Sequence, residues 1–133
     1  SGQDNHASCV LRIWAAGQVV LLTGDAEVAD EQAMRERWGD DTLAADVLVA
    51  GHHGSLTSSG QDFLAAVRPV QVVVSAGYRN RFRHPHPTVW ARYADWGAQR
   101  WRTDRDGAIR IVLGDTVDLS AWRQVRERYW QHR

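Results

Sequence analysis

Two apolar runs in this sequence end in residue types that hold metal ions. Leu21-Leu22 leads into Thr23-Gly24-Asp25, and Val47-Leu48-Val49-Ala50 leads into Gly51-His52-His53-Gly54-Ser55. A carboxylate and imidazoles delivered to two strand ends are the ligands of hydrolytic Zn²⁺, Mn²⁺ or Fe sites. Gly24 and Gly54 give the chain the freedom to turn sharply there. Neighbouring side chains at a strand end diverge, so His52 and His53 take different tasks: one ligates, the other orients a ligand or contacts substrate. We assign Asp25 and His52 to metal, His53 to catalysis and Ser55 to substrate. Asp25 has a competing role, because Thr-Gly-Asp ahead of a helix is also a capping pattern.

A second constellation is Asn80-Arg81-Phe82-Arg83-His84-Pro85-His86-Pro87. In an extended, proline-fixed loop His84 and His86 project to one side. An imidazole can protonate a leaving oxygen near neutral pH, and arginines can hold phosphate. This makes His84 a candidate catalytic group, and Arg81, Arg83 and His86 candidate substrate or phosphate contacts. The competing reading is an exposed loop with incidental histidines. In Thr103-Asp104-Arg105-Asp106-Gly107, Asp106-Gly107 reads as a turn and Asp104 as a residue able to orient a histidine.

The elements that must position these residues alternate along the chain. Ser8 to Trp14 and Gln18 to Leu22 read as a hairpin about Ala16-Gly17. Val28 to Trp38 has helical spacing, closed by Gly39-Asp40-Asp41. Val47 to Ala50 and Val70 to Ser75 are continuous apolar runs, the pattern of strands covered on both faces. Gln61 to Val67 is a short helix stopped by Pro69. Thr88 is expected to cap a helix running to Trp96, with Gly97 after it. Gln99 to Thr103, Ala108 to Leu113 and Thr116 to Leu119 read as short strands, and Ser120 as the cap of a last helix carrying Trp122, Val125 and Tyr129. The class is α/β.

Composition narrows the function. At 133 residues the chain is one domain or part of one, long enough to bury a core. Its 16 basic residues, every one an arginine, balance 16 acidic ones. No global basic field therefore announces a nucleic-acid partner. The single Cys9 cannot form an internal disulfide and reads as a buried thiol. The seven tryptophans read as core or interface mass. No stretch approaches the roughly 20 apolar residues of a membrane span, and no signal peptide is visible, so this piece is expected to be soluble. Ser1-Gly2 resembles the remnant of a cleaved tag.

Asn5 with Ser8-Cys9-Val10-Leu11-Arg12, LLTGDAE, ADVLVAGHHGSLTSS, VRPVQVVVSAGYRNRFRHPHP and RTDRDGAIRI together resemble the bacterial ComEC family of DNA-internalisation competence proteins. They resemble specifically the C-terminal part of its metallo-β-lactamase-like domain, in order and spacing, over nearly the whole chain. The resemblance implies an αββα sandwich with a mixed sheet and flanking helices, and a metal-dependent hydrolase site. It also implies a parent protein in the inner membrane that imports DNA during natural transformation. It matches Asp25 to a bridging carboxylate, the His52-His53 pair to the late histidine ligand, and His84 to a histidine of the family's substrate loop.

One departure matters. The superfamily's His-x-His-x-Asp-His cradle does not occur in this sequence, so residues 1–133 read as the second half of the domain. Alone, the chain is then expected to be inactive and free of the Zn²⁺ or Mn²⁺ of the intact domain. An uncovered apolar sheet face is expected to drive self-association, by packing of that face or by exchange of an edge strand. The implied partners are DNA, by way of the parent, the rest of the parent domain and the membrane channel. Two other functions compete with a nuclease or phosphodiesterase. One is a non-catalytic DNA-binding or scaffolding module using Arg79, Arg81, Arg83 and Arg105 as a phosphate rim. The other is a different hydrolase of the same superfamily.

Overall fold

The chain first reverses at Ala16-Gly17, where both residues adopt positive φ (53° and 77°). Such a two-residue turn matches the twist of the strands it joins. It links β1 (Leu11–Ala15) to β2 (Gln18–Leu22), antiparallel, with Leu11 opposite Leu22 and Ala15 opposite Gln18. The computed structural model of the chain describes residues 9–77 and 84–124, the side chains of residues 52 and 53 excepted.

From β2 to β5 each strand returns parallel to its predecessor, and each crossover is helical. Helices α1 (Val28–Trp38) and α2 (Asp40–Leu43) lead to β3 (Val47–Val49). A 3₁₀ turn at Gly51–Gly54 and α3 (Gln61–Val67) lead to β4 (Gln71–Val74). Helix α4 (Pro87–Asp95) leads to β5 (Gln99–Arg102). The result is one mixed sheet in the order β1-β2-β3-β4-β5. A second, two-stranded antiparallel sheet pairs β6 (Ile109–Leu113) with β7 (Val117–Ala121).

Strand alternation sends the core to both faces. On one rung Leu21, Leu48 and Val72 are aligned and pack, with Val74, against Met34, Leu43, Phe63, Leu64, Val67, Val89 and Tyr93 of α1 to α4. On the other face Val20, Val47, Val73 and Trp101 pack against Ile109, Ile111, Leu113, Val117, Leu119 and Ala121 of the second sheet. The layers are therefore helices, sheet, sheet, a mixed α/β arrangement with flanking helices. Leu48 is fully buried; truncating such a residue to alanine costs about 2–5 kcal/mol.

That second sheet corrects the expectation of a bare sheet face. The alternation of Ile109, Ile111 and Leu113 was visible, but the surface it covers is decided by tertiary packing. Four local expectations also change. Asp40 and Asp41 open the short helix α2 in place of ending α1. Thr103–Asp106 forms a one-turn helix, α5, closed by Gly107 at φ 77°, so Asp106-Gly107 is a helix end and not a simple turn. Ser120 lies inside β7 and does not cap a helix; helical backbone begins at Trp122, and Val125 and Tyr129 lie outside the described residues. Cys9 is exposed, not buried, because it precedes an edge strand whose five residues are all exposed.

Candidate functional site

Parallel strands in register end together. Leu22 pairs with Val49, Val49 with Val73, and Val74 with Arg102. The segments that follow β2, β3, β4 and β5 therefore leave from one edge of the sheet, where open α/β sheets bind ligands. Asp25 and His52 each stand three residues beyond a paired strand end.

The β2 exit is shaped by Thr23 and Gly24. Thr23 is fully buried, and its hydroxyl donates to the Val49 carbonyl at 3.0 Å, tying the β2 exit to the end of β3. Gly24 takes φ 56°, and Asp25 emerges exposed. Asp25 does not cap α1. Glu27 is the N-cap, in a reciprocal box in which Asp30 accepts the Glu27 N–H at 2.9 Å. The capping role is thus taken by another acid, while Asp25 keeps its place in a turn closed by the Ala26 N–H donating to the Thr23 carbonyl at 3.0 Å.

The β3 exit carries the histidines on the 3₁₀ turn Gly51–Gly54. A β-carbon on Gly51 would lie 2.8 Å from the Ala26 carbonyl oxygen. The backbone after Asp25 and the root of the histidine turn are thereby in contact. The side chains of His52 and His53 lie outside the described residues. Ser55, a substrate candidate, is buried, and its hydroxyl lies 3.0 Å from that of Thr57.

A third segment closes on the same turn. The His86 N–H donates to the Gly54 carbonyl at 2.9 Å, and Pro85 lies so close to Gly54 that a β-carbon there would be 2.7 Å from it. The structure therefore brings the His84–His86 backbone onto the His52-His53 turn. His86, not Thr88, caps α4: its Nδ1 accepts the Thr88 N–H at 3.1 Å, with Pro87 in the first turn. His84 is half-buried. Arg79, Arg81 and Arg83 lie outside the described residues.

The β5 exit is self-contained. Asp104, a candidate for orienting a histidine, is bound by the Arg102 guanidinium at 2.7 and 2.6 Å, which holds its carboxyl below the usual range. Asp106 accepts the Arg102 N–H at 2.9 Å and pairs with Arg105. Arg100, Arg102 and Arg105 all lie over the Trp90 ring, at 4.6, 5.2 and 5.6 Å. Thr103 ties this end to β4, its hydroxyl accepting the Ala76 N–H and donating to the Ala76 carbonyl, each at 2.9 Å.

A family model for the metallo-beta-lactamase superfamily matches residues 2–78, more than half of the chain, and takes in Asp25, His52, His53 and Ser55. The chain belongs to the metallo-beta-lactamase superfamily. Within it, the chain groups with ComEC-type competence proteins. It is 41% identical over 128 residues, 96% of its length, to "Competence protein ComA" of Neisseria gonorrhoeae. It is 37% identical over 85% of its length to "ComE operon protein 3" of Bacillus subtilis. It is also 37% identical over 81% of its length to "Recombination protein 2" of Haemophilus influenzae. The chain spans 18%, 14% and 13% of those three proteins' lengths.

Metallo-beta-lactamase chemistry uses divalent metal ions, and the donor types at the β2 and β3 exits fit one: a carboxylate and adjacent imidazoles on turns held together by the Gly51–Ala26 contact. Among the described residues no group of three or more His, Cys, Asp or Glu side chains converges.

The sequence reading missed the residues that hold these turns. Thr23, Ser58 and Ser59 are essentially buried, and so is Glu31 in the middle of α1. Glu31 stands among the other charged residues of α1, Asp30, Arg35, Glu36 and Arg37. Its spacing held a signal, since it stands three residues before Met34, the other buried residue of α1.

Proposed function

We propose that this chain is the C-terminal part of a metal-dependent phosphodiesterase or nuclease domain in an inner-membrane protein that takes up DNA. Asp25 and one of His52 and His53 ligate Zn²⁺ or Mn²⁺, and the rest of the parent domain supplies the remaining ligands. The observation that carries the reading is the meeting of the Asp25 and His52-His53 turns at one sheet edge, backbone against backbone. The names of the relatives, competence proteins among them, supply the biological setting. No helix among the described residues is long and apolar enough to cross a membrane.

Bound there, a divalent ion supplies Lewis-acid stabilisation of a phosphoryl group and acidifies water. The protein's own residues bind, orient and move protons. The histidine that does not ligate holds a ligand in place or contacts substrate. His84, carried onto the same turn by the His86–Gly54 hydrogen bond, delivers a proton to the leaving oxygen. Arg81 and Arg83 engage phosphates of the DNA, and Ser55 and His86, held by Thr57 and Thr88, complete the substrate side.

The test is metal binding by the full-length parent protein, wild type against Asp25→Ala, by calorimetric titration with Zn²⁺ and Mn²⁺. Loss of at least tenfold in affinity is expected. Unchanged affinity overturns the site assignment. Tight metal binding without cleavage of single-stranded DNA favours the non-catalytic DNA-binding module over the enzyme.

A further inference from the structure

A carboxylate is buried between α1 and the loop ahead of α3, where the chemistry proposed above has no use for it. Glu31 is 2% exposed. Its two oxygens accept from consecutive backbone amides, Ser59 N–H at 2.6 Å and Gly60 N–H at 2.9 Å. Burial raises the carboxyl to about 7 in spite of these two donors and the nearby Arg92 of α4, with Asp30 of its own helix adding to the rise. An apolar side chain would fill the volume without desolvating a charge. What the carboxylate adds is a fixed backbone at Ser59 and Gly60.

Ser59 is where that constraint is needed. It takes φ 54°, a left-handed conformation that a residue with a β-carbon seldom keeps without outside support. Glu31 holds its N–H, the Arg92 guanidinium donates to its carbonyl at 2.8 Å, and its hydroxyl lies 2.6 Å from the Tyr93 hydroxyl. From Ser59 the connection runs back one residue. The fully buried Ser58 hydroxyl lies 2.9 Å from the carbonyl oxygens of both Gly51 and Ser55, which bracket His52-His53-Gly54.

We propose that Glu31 is a positioning residue for the His52-His53 turn: by holding Ser59 and Gly60 it fixes, through Ser58, the place from which the two imidazoles project. The proposal rests on the reading that those imidazoles serve the site.

The test compares the 133-residue wild type with Glu31→Gln and Ser58→Ala, by NMR of histidine rings and by amide hydrogen exchange. In both variants the ring resonances of His52 and His53 are expected to shift. Amides of residues 51–60 are expected to exchange at least tenfold faster, with Leu48 and Val72 at wild-type rates. Glu31 is ordinary structure, and the proposal fails, if the rings stay unmoved while residues 59 and 60 loosen. The same holds if exchange accelerates throughout the chain. Should Glu31→Gln not fold, Ser58→Ala decides alone, unmoved rings again overturning the proposal. Zinc titration separates this from the metal reading. A full-length parent that binds no Zn²⁺, with the rings still moving in both variants, keeps the positioning role and removes the metal.

Discussion

Gly51 meets Ala26 backbone to backbone: a β-carbon added to Gly51 would lie 2.8 Å from the Ala26 carbonyl oxygen and 2.9 Å from the Thr23 hydroxyl. Neither neighbour yields easily. The first belongs to the main chain, and the second is held by its 3.0 Å bond to the Val49 carbonyl. The contact packs the carboxylate turn directly against the histidine turn. Gly51→Ala is therefore expected to destabilise the chain by about 1–3 kcal/mol through overpacking. Urea unfolding measures this, and an unchanged midpoint would show that the two turns separate freely.

Glu31 sets a pH dependence of opposite sign to that of a salt-bridged carboxylate. Its folded value is raised from 4.5 to about 7 by burial. Its contribution to stability is thus fully present below about 4.5 and is lost as pH rises through about 7. Between those limits the wild type is expected to lose stability relative to Glu31→Gln by at most about 3 kcal/mol. Chemical denaturation of both proteins at pH 4.5 and 7.5 gives the difference. Parallel stability curves would place Glu31 in contact with water.

How legible this was in the sequence differs by residue. The apolar run Val47-Leu48-Val49 announces a doubly covered strand because both of its faces are buried, and the hairpin turn at Ala16-Gly17 is local chemistry. The shared edge of Asp25 and His52 followed from two runs of strand type ending in residue types able to ligate metal. Glu31 did not show, because a charged residue among the charges of α1 looks solvated until Ser59 and Gly60 are known to face it. The second sheet was half legible. Ile109, Ile111 and Leu113 alternate visibly, yet their packing on Val47 and Val73 is a long-range matter. Cys9 was misread because an apolar neighbourhood in sequence turned out to border an exposed edge strand.

That edge carries the third prediction. Among the described residues β1 is paired on one side only, with Leu11 57%, Ile13 45% and Trp14 69% exposed. An exposed apolar edge strand is a template for pairing with another chain. The chain on its own is expected to self-associate with rising concentration, and Ile13→Lys to suppress this by placing a charge on the edge. Sedimentation velocity tests it. A wild type that stays monomeric at high concentration would show that the edge alone does not drive pairing.

The last prediction separates the roles within the site and needs the complete parent protein with Mn²⁺ or Zn²⁺ and single-stranded DNA. Asp25→Ala removes a proposed ligand, so metal content and turnover should fall together. His84→Ala removes a proposed proton donor, whose segment is tied to the histidine turn by the His86–Gly54 backbone hydrogen bond. General acid–base groups contribute roughly 10²–10⁴-fold, so turnover should fall within that range while metal content stays at the wild-type level. Arg81→Ala and Arg83→Ala should instead weaken DNA binding with little change in metal. Each should lower the slope of log affinity against log salt by about 0.7, the single-strand value per phosphate contact. Full activity in His84→Ala would reduce that loop to a surface feature packed on Gly54, whatever Asp25→Ala does.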